Sequence, residues 1–451
     1  MKQLLQSLPL LILSLNQPPE QAHALFPSQT IRLYDYLPPS QRTPSAKLHT
    51  LWAARLILAL LLLASLIGTS VVYAGSREQA KRLHDRITGV PANAETLDRM
   101  AALIEAGSPN EAANVAMTHD AFYNVTLKNW ITPWTNLDRT PFAPLNDYTA
   151  TVIGIIRDDL DFRRILYDNI LYTAPNSGAP LYAMTNNDHY AFLENNGISL
   201  QTALEQTTQS AMSDLPADAT AGVLTTRQGA RAFFSSGTNR AQLRYTLLNH
   251  LCLDLEQIKD ITRSPDRIRQ DVTRSPGGDS RIFLNNCVGC HAGMDPLVQS
   301  FAYYEYDYDA DSDPEGENGR LIYNAEGTLN PDTGTRVQNK YLINSTSFPN
   351  GYITTTDTWT NYWREGPNRI LGWDSSLPGN GAGAKSMGQE LAHSEQFATC
   401  QMQKVFKTVC LRPPSSSTDR SKIATMTSNF IGNGYRIKSA FAEAALFCMG
   451  D

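Results

Sequence analysis

The chain has 451 residues and a formal net charge of −6 at pH 7. That length allows two or three domains, each with its own hydrophobic core. The slightly negative charge gives no reason to expect nucleic acid or an anionic membrane surface as a partner. Hydrophobic residues make up 42% of the chain and charged residues 18%, the composition of an ordinary globular protein. Function therefore has to be sought in motifs.

The first feature in chain order is an uncharged, Leu-rich run, Leu56–Ala74. It ends in Val72–Gly75, with small residues at the positions that a signal peptidase reads, and polar sequence follows at once. At about 19 residues the run is also long enough for a membrane anchor. We expect cleavage with Gly75 as the first mature residue and export to the periplasm or cell envelope. Contact with the membrane would then require an uncleaved N-terminal segment.

Beyond this leader, 1–75, the sequence predicts a mainly α protein. A helical domain of unknown role is expected over 76–235, where Asn- and Thr-rich loops fill 172–220. A cytochrome c-like helical domain with long loops is expected over 236–451. Apolar periodicity predicts helices over Ser76–Thr88, Ala94–Ala106, Asn110–Met117, Thr151–Ile170, Thr238–Ile258, Ser394–Val409, Ile423–Phe430 and Tyr435–Phe447.

The most specific motif is the run Cys287-Val288-Gly289-Cys290-His291. C-x-x-C-H is the attachment signature of a c-type haem. Two thiols one helical turn apart each add to a vinyl group of one porphyrin, and the following imidazole becomes the proximal iron ligand. A redox C-x-x-C would be expected beside a βαβ pattern, and a zinc site would need a second Cys/His pair; the sequence offers neither. One covalent haem is therefore expected, with Cys287, Cys290 and His291 binding it.

The sixth iron ligand decides what the haem can do. In single-haem cytochromes it is commonly a Met in the loop before the last helix that crosses the haem helix. Met387 lies just before the predicted helix Ser394–Val409 and is our first candidate, because a thioether suits an electron carrier. The alternatives are an open site or one of a set of other side chains: His250, His393, Met402 and Met426. Met294 is too close in sequence to His291 to reach the opposite face.

The four cysteines outside the motif are Cys252, Cys400, Cys410 and Cys448. In an oxidising compartment an even number suggests two disulfides. Cys400 and Cys410 would lie about 15 Å apart on one helix, too far to bridge. We expect Cys400–Cys448 and Cys252–Cys410, with four buried free thiols as the alternative.

An aromatic and acidic tract follows the haem motif, over Phe301–Gly319. The spacing Asp309-x-Asp311-x-Asp313 is that of a calcium loop, but Pro314 stands where an EF-hand requires Gly. A solvated acidic loop is therefore expected, with calcium as the alternative. Such a face would orient a basic redox partner, and electron transfer through it would depend strongly on salt.

Several segments resemble motifs of one family: the exported planctomycete-type cytochrome proteins, whose domains are known only as domains of unknown function. The similar segments occur in the family's order and are Arg86–Pro91, Gly222–Thr226, Thr238–Arg244, Cys287–Leu297 (C-x-x-C-H-x-x-x-D-P-L) and Phe397–Arg412. This resemblance implies a predominantly helical haem protein of the periplasm or cell surface. It indicates no substrate.

Three functions are consistent with these features. The leading hypothesis is an exported single-haem cytochrome that carries electrons to and from a redox partner protein. The second is a haem-dependent oxidoreductase, peroxidase-like, with an open distal site and an acid or base such as His250, His393 or Glu390. The third is a non-catalytic module of the cell envelope in which haem is structural.

Overall fold

The computed structural model describes residues 74–235, 237–269, 280–346 and 350–450. The predicted leader lies outside this part of the chain except for Ala74 and Gly75. Within the described ranges, no helix combines the length and the apolar character that a membrane span requires.

The protein is mainly helical, as the sequence predicts. Its α-helices are α1 (Ser76–Thr88), α2 (Ala94–Glu105), α3 (Pro109–Met117), α4 (Lys128–Ile131), α5 (Asp147–Arg157), α6 (Asp188–Asn195), α7 (Leu200–Ala203), α8 (Gln209–Met212), α9 (Arg227–Phe233), α10 (Arg240–His250), α11 (Ser280–Ile282), α12 (Val288–Val298), α13 (Gly383–Ala392), α14 (Glu395–Cys410), α15 (Ser417–Gly432) and α16 (Lys438–Cys448). Two π-helices, Phe122–Leu127 and Phe283–Cys287, lead directly into α4 and α12.

The strands are short and form three separate antiparallel pairs. They are β1 (Leu171–Thr173) with β2 (Glu205–Thr207), β3 (Tyr304–Asp307) with β4 (Arg320–Tyr323), and β5 (Thr358–Thr360) with β6 (Asn380–Ala382). The aromatic and acidic tract thus contains β3, and its part after Asp307 is the connection of the β3–β4 hairpin. Its carboxylates bind their own loop, since Asp309 accepts from the Ser312 hydroxyl at 2.7 Å and Asp313 from the Asn318 amide at 2.6 Å.

The predicted helix Thr151–Ile170 is wrong in its extent. The structure has α5 from Asp147 to Arg157, and Asp159 leaves the helical conformation with φ of 51°. Asp161 then caps a separate 3-10 turn, Phe162–Leu166, by accepting from the Arg163 amide. The charged residues Arg157, Asp158 and Asp159, which the periodicity places on an exposed helix face, therefore mark the break between two short elements.

The predicted helix Thr238–Ile258 is also too long. Helix α10 ends at His250, and Cys252 turns the chain with φ of 56°. Asp254 caps the next 3-10 turn, Leu255–Gln257, through a capping box. The apolar residues predicted to lie on one helix are thus divided between α10 and the turn Leu255–Gln257. Cys252, which forms a disulfide, lies at the corner between them.

One hydrophobic core contains residues from both predicted domains, from Ala80 to Ala445. The C-terminal helix α16 packs on α1 and α3 as well as on α14, so the end of the chain covers the first helices. The helices of this region occur close to where the sequence places them. Helix α14 begins after its cap Ser394, and α15 includes the predicted helix Ile423–Phe430. Helix α16 begins three residues later than the predicted helix Tyr435–Phe447, because Tyr435 has a left-handed φ of 61°.

The prediction of two disulfides is confirmed, but the predicted pairing is wrong. Cys252 bonds to Cys400 and Cys410 to Cys448, with Cα–Cα distances of 5.3 and 5.4 Å. The first bond attaches the corner after α10 to α14, and the second attaches the end of α14 to the end of α16. The two cysteines of α14 lie more than two turns apart, so each meets a different neighbour.

Mapping of peptides without reduction should therefore recover Cys252 linked to Cys400, and Cys410 linked to Cys448. Replacing Cys410 and Cys448 together by Ala should lower the free energy of unfolding by about 2–4 kcal/mol, because the loop that the bond closes regains entropy in the unfolded chain. Denaturant unfolding measures this change. A linked Cys400–Cys448 peptide would contradict the structure.

Candidate haem attachment site

The C-x-x-C-H motif lies at the exposed end of α12. Cys287, Cys290 and His291 are partly exposed, whereas every residue from Ala292 to Val298 is buried. Helix α12 therefore runs from the surface into the core and presents the two thiols and the imidazole at its first turn.

Two glycines let one face of α12 pack closely against its neighbours, so that the face with His291 points outward. Gly289 and Gly293 are four residues apart and share a face. The carbonyl of Gly289 accepts from the Asp260 amide at 2.9 Å. A Cβ at Gly293 would collide with the indole nitrogen of the buried Trp363. His291 lies about 200° around the helix from Gly289, so close packing of the glycine face leaves the imidazole on the other side.

The two thiols of the motif are the cysteines that form no disulfide. Partial burial, together with the nearby Glu256 carboxylate, raises the pKa of the Cys290 thiol. A C-x-x-C that exchanges disulfides needs a lowered thiol pKa, because the thiolate is the nucleophile. The raised pKa of Cys290 therefore argues against disulfide exchange at this motif.

The imidazole of His291 is oriented by a buried carboxylate. Its Nδ1 lies 3.1 and 3.2 Å from the two oxygens of Asp295, one turn further along α12. Asp295 is completely buried and accepts from Nε of Arg240, on α10, at 2.9 Å. Burial alone would raise the pKa of Asp295, but Arg240 and His291 hold it well below its usual range.

This arrangement fixes the tautomer of the ring. Because Asp295 is ionised, Nδ1 of His291 carries the proton and donates it, which leaves Nε2 as the nitrogen for a metal. Sequence reasoning did not assign Asp295 or Arg240 a role. The signal that would have found Asp295 is its spacing of four residues from His291 on one helix, the distance at which side chains meet.

The surface around the thiols is apolar and exposed. Ile261, beside Gly289, is 78% exposed, and Leu284, in the π-helix before Cys287, is 58% exposed. Phe283 is buried with Ile268 in a small cluster against which Cys287 and Val288 pack. Free thiols, an imidazole with Nε2 available and uncovered apolar side chains are the features that a covalently bound porphyrin requires of its site. The residues present therefore fit a c-type haem.

Met387 lies elsewhere in the fold. It is a residue of α13 rather than of the loop before the crossing helix, and it is completely buried in the main core. Helix α13 contacts the turn Gln299–Phe301 that follows α12 and the turn Phe162–Leu166. Gln299 is about 12 Å from His291 along the helix axis. The described structure thus brings Cys287, Cys290 and His291 together and places Met387 on a helix that contacts the other end of α12.

The other residues considered for the distal side have structural partners. Nε2 of His250 is bonded to the Tyr148 hydroxyl at 2.8 Å, and Nδ1 of His393 is within 2.8 Å of the Gln389 carbonyl. Met294, Met402 and Met426 are buried in the main core. Glu390 accepts two hydrogen bonds at 2.7 Å from the Arg364 guanidinium. Within the described ranges, no three His, Cys, Asp or Glu side chains are grouped to hold a metal ion by themselves.

Comparisons with protein-family models, with curated proteins and with solved structures found no match to this chain. The resemblance to the exported planctomycete-type family stays a prediction from motifs. The site is therefore argued from its own residues.

Replacing Asp295 by Asn should raise the midpoint potential of the haem-loaded protein. A neutral partner no longer increases electron donation by the His291 ring, so the ferric state loses stabilisation. We expect at least a tenfold shift toward the ferrous form, or about 59 mV, in a spectroscopic redox titration. Asp419→Asn, which removes a buried carboxylate paired with Arg412 beyond the end of α14, is the matched control. Equal potentials in the wild type and Asp295→Asn would refute the role of Asp295.

Replacing Met387 by Leu tests the sixth ligand with little damage to the core, because the side chains are similar in volume. Since Met387 is buried away from the motif, we expect the haem spectrum to stay unchanged and the free energy of unfolding to fall by less than about 1.5 kcal/mol. Loss of a methionine–iron absorption band would instead identify Met387 as the ligand.

Proposed function

We propose that the protein is an exported c-type cytochrome that binds one haem covalently and transfers electrons to or from a partner protein. Cys287 and Cys290 attach the porphyrin and His291 is the proximal ligand. One observation carries the proposal: the two free thiols and the imidazole lie on one partly exposed turn, and a buried carboxylate binds Nδ1 of His291, which leaves Nε2 to bind iron. Two disulfides support an oxidising compartment.

Bound haem would supply one-electron chemistry at iron. The chain's own contributions are attachment, orientation and burial. Asp295 keeps the proton of His291 on Nδ1, and Arg240 keeps Asp295 ionised. The apolar side chains of Ile261 and Leu284 would exclude water from the porphyrin edge. These groups would set how strongly the ferric state of a bound haem is favoured.

A second function is favoured by one specific feature of the site. A carboxylate on the proximal imidazole increases electron donation to iron, which suits a haem-dependent oxidoreductase of the peroxidase type with an open distal side. The position of Met387 in the core supports an open distal side as well. The two functions share the same proximal residues and differ in whether a sixth protein ligand is present.

Covalent attachment is tested by replacing Cys287 and Cys290 together with Ala in a host that exports and matures cytochromes. The wild type should carry one haem per chain that survives denaturing electrophoresis, and the variant should carry none, because neither thioether can form. Cys410→Ala with Cys448→Ala is the control, since it removes two thiols of a disulfide and should retain covalent haem. Covalent haem in the Cys287/Cys290 variant would overturn the proposal.

The two functions are separated by exposing the reduced, haem-loaded protein to carbon monoxide. A carrier with two protein ligands should keep its spectrum, whereas an open site should bind carbon monoxide at once. On the leading proposal we expect an unchanged spectrum, with a protein side chain as the sixth ligand. Binding of carbon monoxide would favour the second function instead.

A further inference from the structure

A cleft lies between the segment Asn129–Trp134 and the C-terminal half of α14. Its volume is about 460 Å³. Two indole side chains, Trp130 and Trp134, form one wall. The size is that of a pocket for a small organic molecule, and such pockets combine apolar walls with a few charged groups.

The charge of this cleft is opposite to that of the chain. Arg139, Lys404, Lys407 and Arg412 line it, and among the described residues that line it none is acidic. The whole chain has a net charge of −6. Arg412 is neutralised by Asp419, whose two oxygens lie 2.6 and 2.8 Å from its guanidinium. The other three cations have no ion pair with any carboxylate in the part of the chain that the structure describes.

Lys404 is the central cation of this cleft. Its Nζ donates to the Asn249 carbonyl at 2.6 Å and lies 3.0 Å from the centroid of the Trp134 ring. These contacts give the ammonium a structural role at the end of α10, but they supply no negative charge. Burial and the positive charge of Arg139 hold the pKa of Lys404 well below its usual range. An anion beside Lys404 would compensate both effects.

The aromatic wall also has an unused polar group. Trp130 is more than nine-tenths buried, and its indole nitrogen has no hydrogen-bond partner among the described residues. A buried N–H donor without an acceptor costs about 1–3 kcal/mol. This nitrogen has almost no accessible surface, so it is the cations of the cleft that would bind a ligand.

We propose that this cleft binds a small organic anion with a planar apolar body, such as an aromatic carboxylate. The carboxylate would pair with Lys404, and the ring would lie against Trp130 and the exposed side chain of Leu411. Clefts lined by one sign of charge concentrate ions of the opposite sign, and aromatic walls favour flat ligands. The proposal uses no residue of the haem site, so it stands whether or not the chain binds haem.

The test is isothermal titration calorimetry of the full-length protein with 1-naphthoate and with its uncharged isostere, 1-naphthamide. We expect naphthoate to bind at least about tenfold more tightly than naphthamide, and to weaken as salt is added. Lys404→Met should lower the affinity for naphthoate about tenfold, and Lys407→Met should lower it less, because Lys407 is exposed at the rim.

Controls keep this test decisive. Lys81→Met removes an equal charge from a surface pair on α1 and should leave naphthoate binding unchanged. Thermal unfolding by circular dichroism shows whether Lys404→Met is folded. If Lys404→Met is unfolded, the affinity of Lys407→Met for naphthoate tests the proposal. Three results would each overturn the proposal. The first is that naphthoate does not bind, and the second is that naphthoate and naphthamide bind equally tightly. The third is that the affinity for naphthoate is unchanged in Lys407→Met and also in Lys404→Met, if Lys404→Met is folded.

Discussion

The buried contact between Arg240, Asp295 and His291 is the constraint on which the candidate site depends. A carboxylate taken completely out of water is costly unless a cation and hydrogen bonds compensate it, and Arg240 and His291 provide both. Breaking a buried pair by removing one partner typically costs about 3–5 kcal/mol, and less where the cation is partly exposed, as Arg240 is. The same contact joins α10 to α12 and sets the orientation of the imidazole. One interaction therefore contributes both to the stability of the fold and to the geometry of the candidate site.

Helix α10 is fixed at both of its ends. Arg240 in its first turn is bound by Asp295, and beyond its last turn Cys252 is bonded to Cys400 of α14. Three side chains of α14 also donate to the carbonyls at the end of α10 that have no helical partner. They are Gln396 to Leu251 at 2.7 Å, Gln401 to His250 at 3.1 Å and Lys404 to Asn249 at 2.6 Å. Unpaired carbonyls at a helix end need such donors, and a lysine also suits the negative end of the helix dipole.

The part of this architecture that the sequence predicts is local. Cys287, Cys290 and His291 stay a prediction, made because covalent haem attachment dictates their spacing. Helices α1, α2, α3 and α14 were found because their apolar periodicity is regular. The helices across 151–170 and 238–258 were drawn too long because Asp159 and Cys252 adopt left-handed conformations that periodicity does not signal. Whether Met387 ligates iron is likewise a question of tertiary position that spacing along the chain does not answer.

The disulfide pairing failed for a related reason. Exclusion of a Cys400–Cys410 bond was sound, because both residues are on α14, but it left two pairings that differ only in which neighbours pack on that helix. The structure puts the corner after α10 at the first cysteine and the end of α16 at the second. Helix α10 therefore has a cation bound to the haem-site carboxylate at one end and Lys404 of the basic cleft at the other, about 14 Å away along its axis. Helix α10 thus contacts residues of both the candidate haem site and the basic cleft.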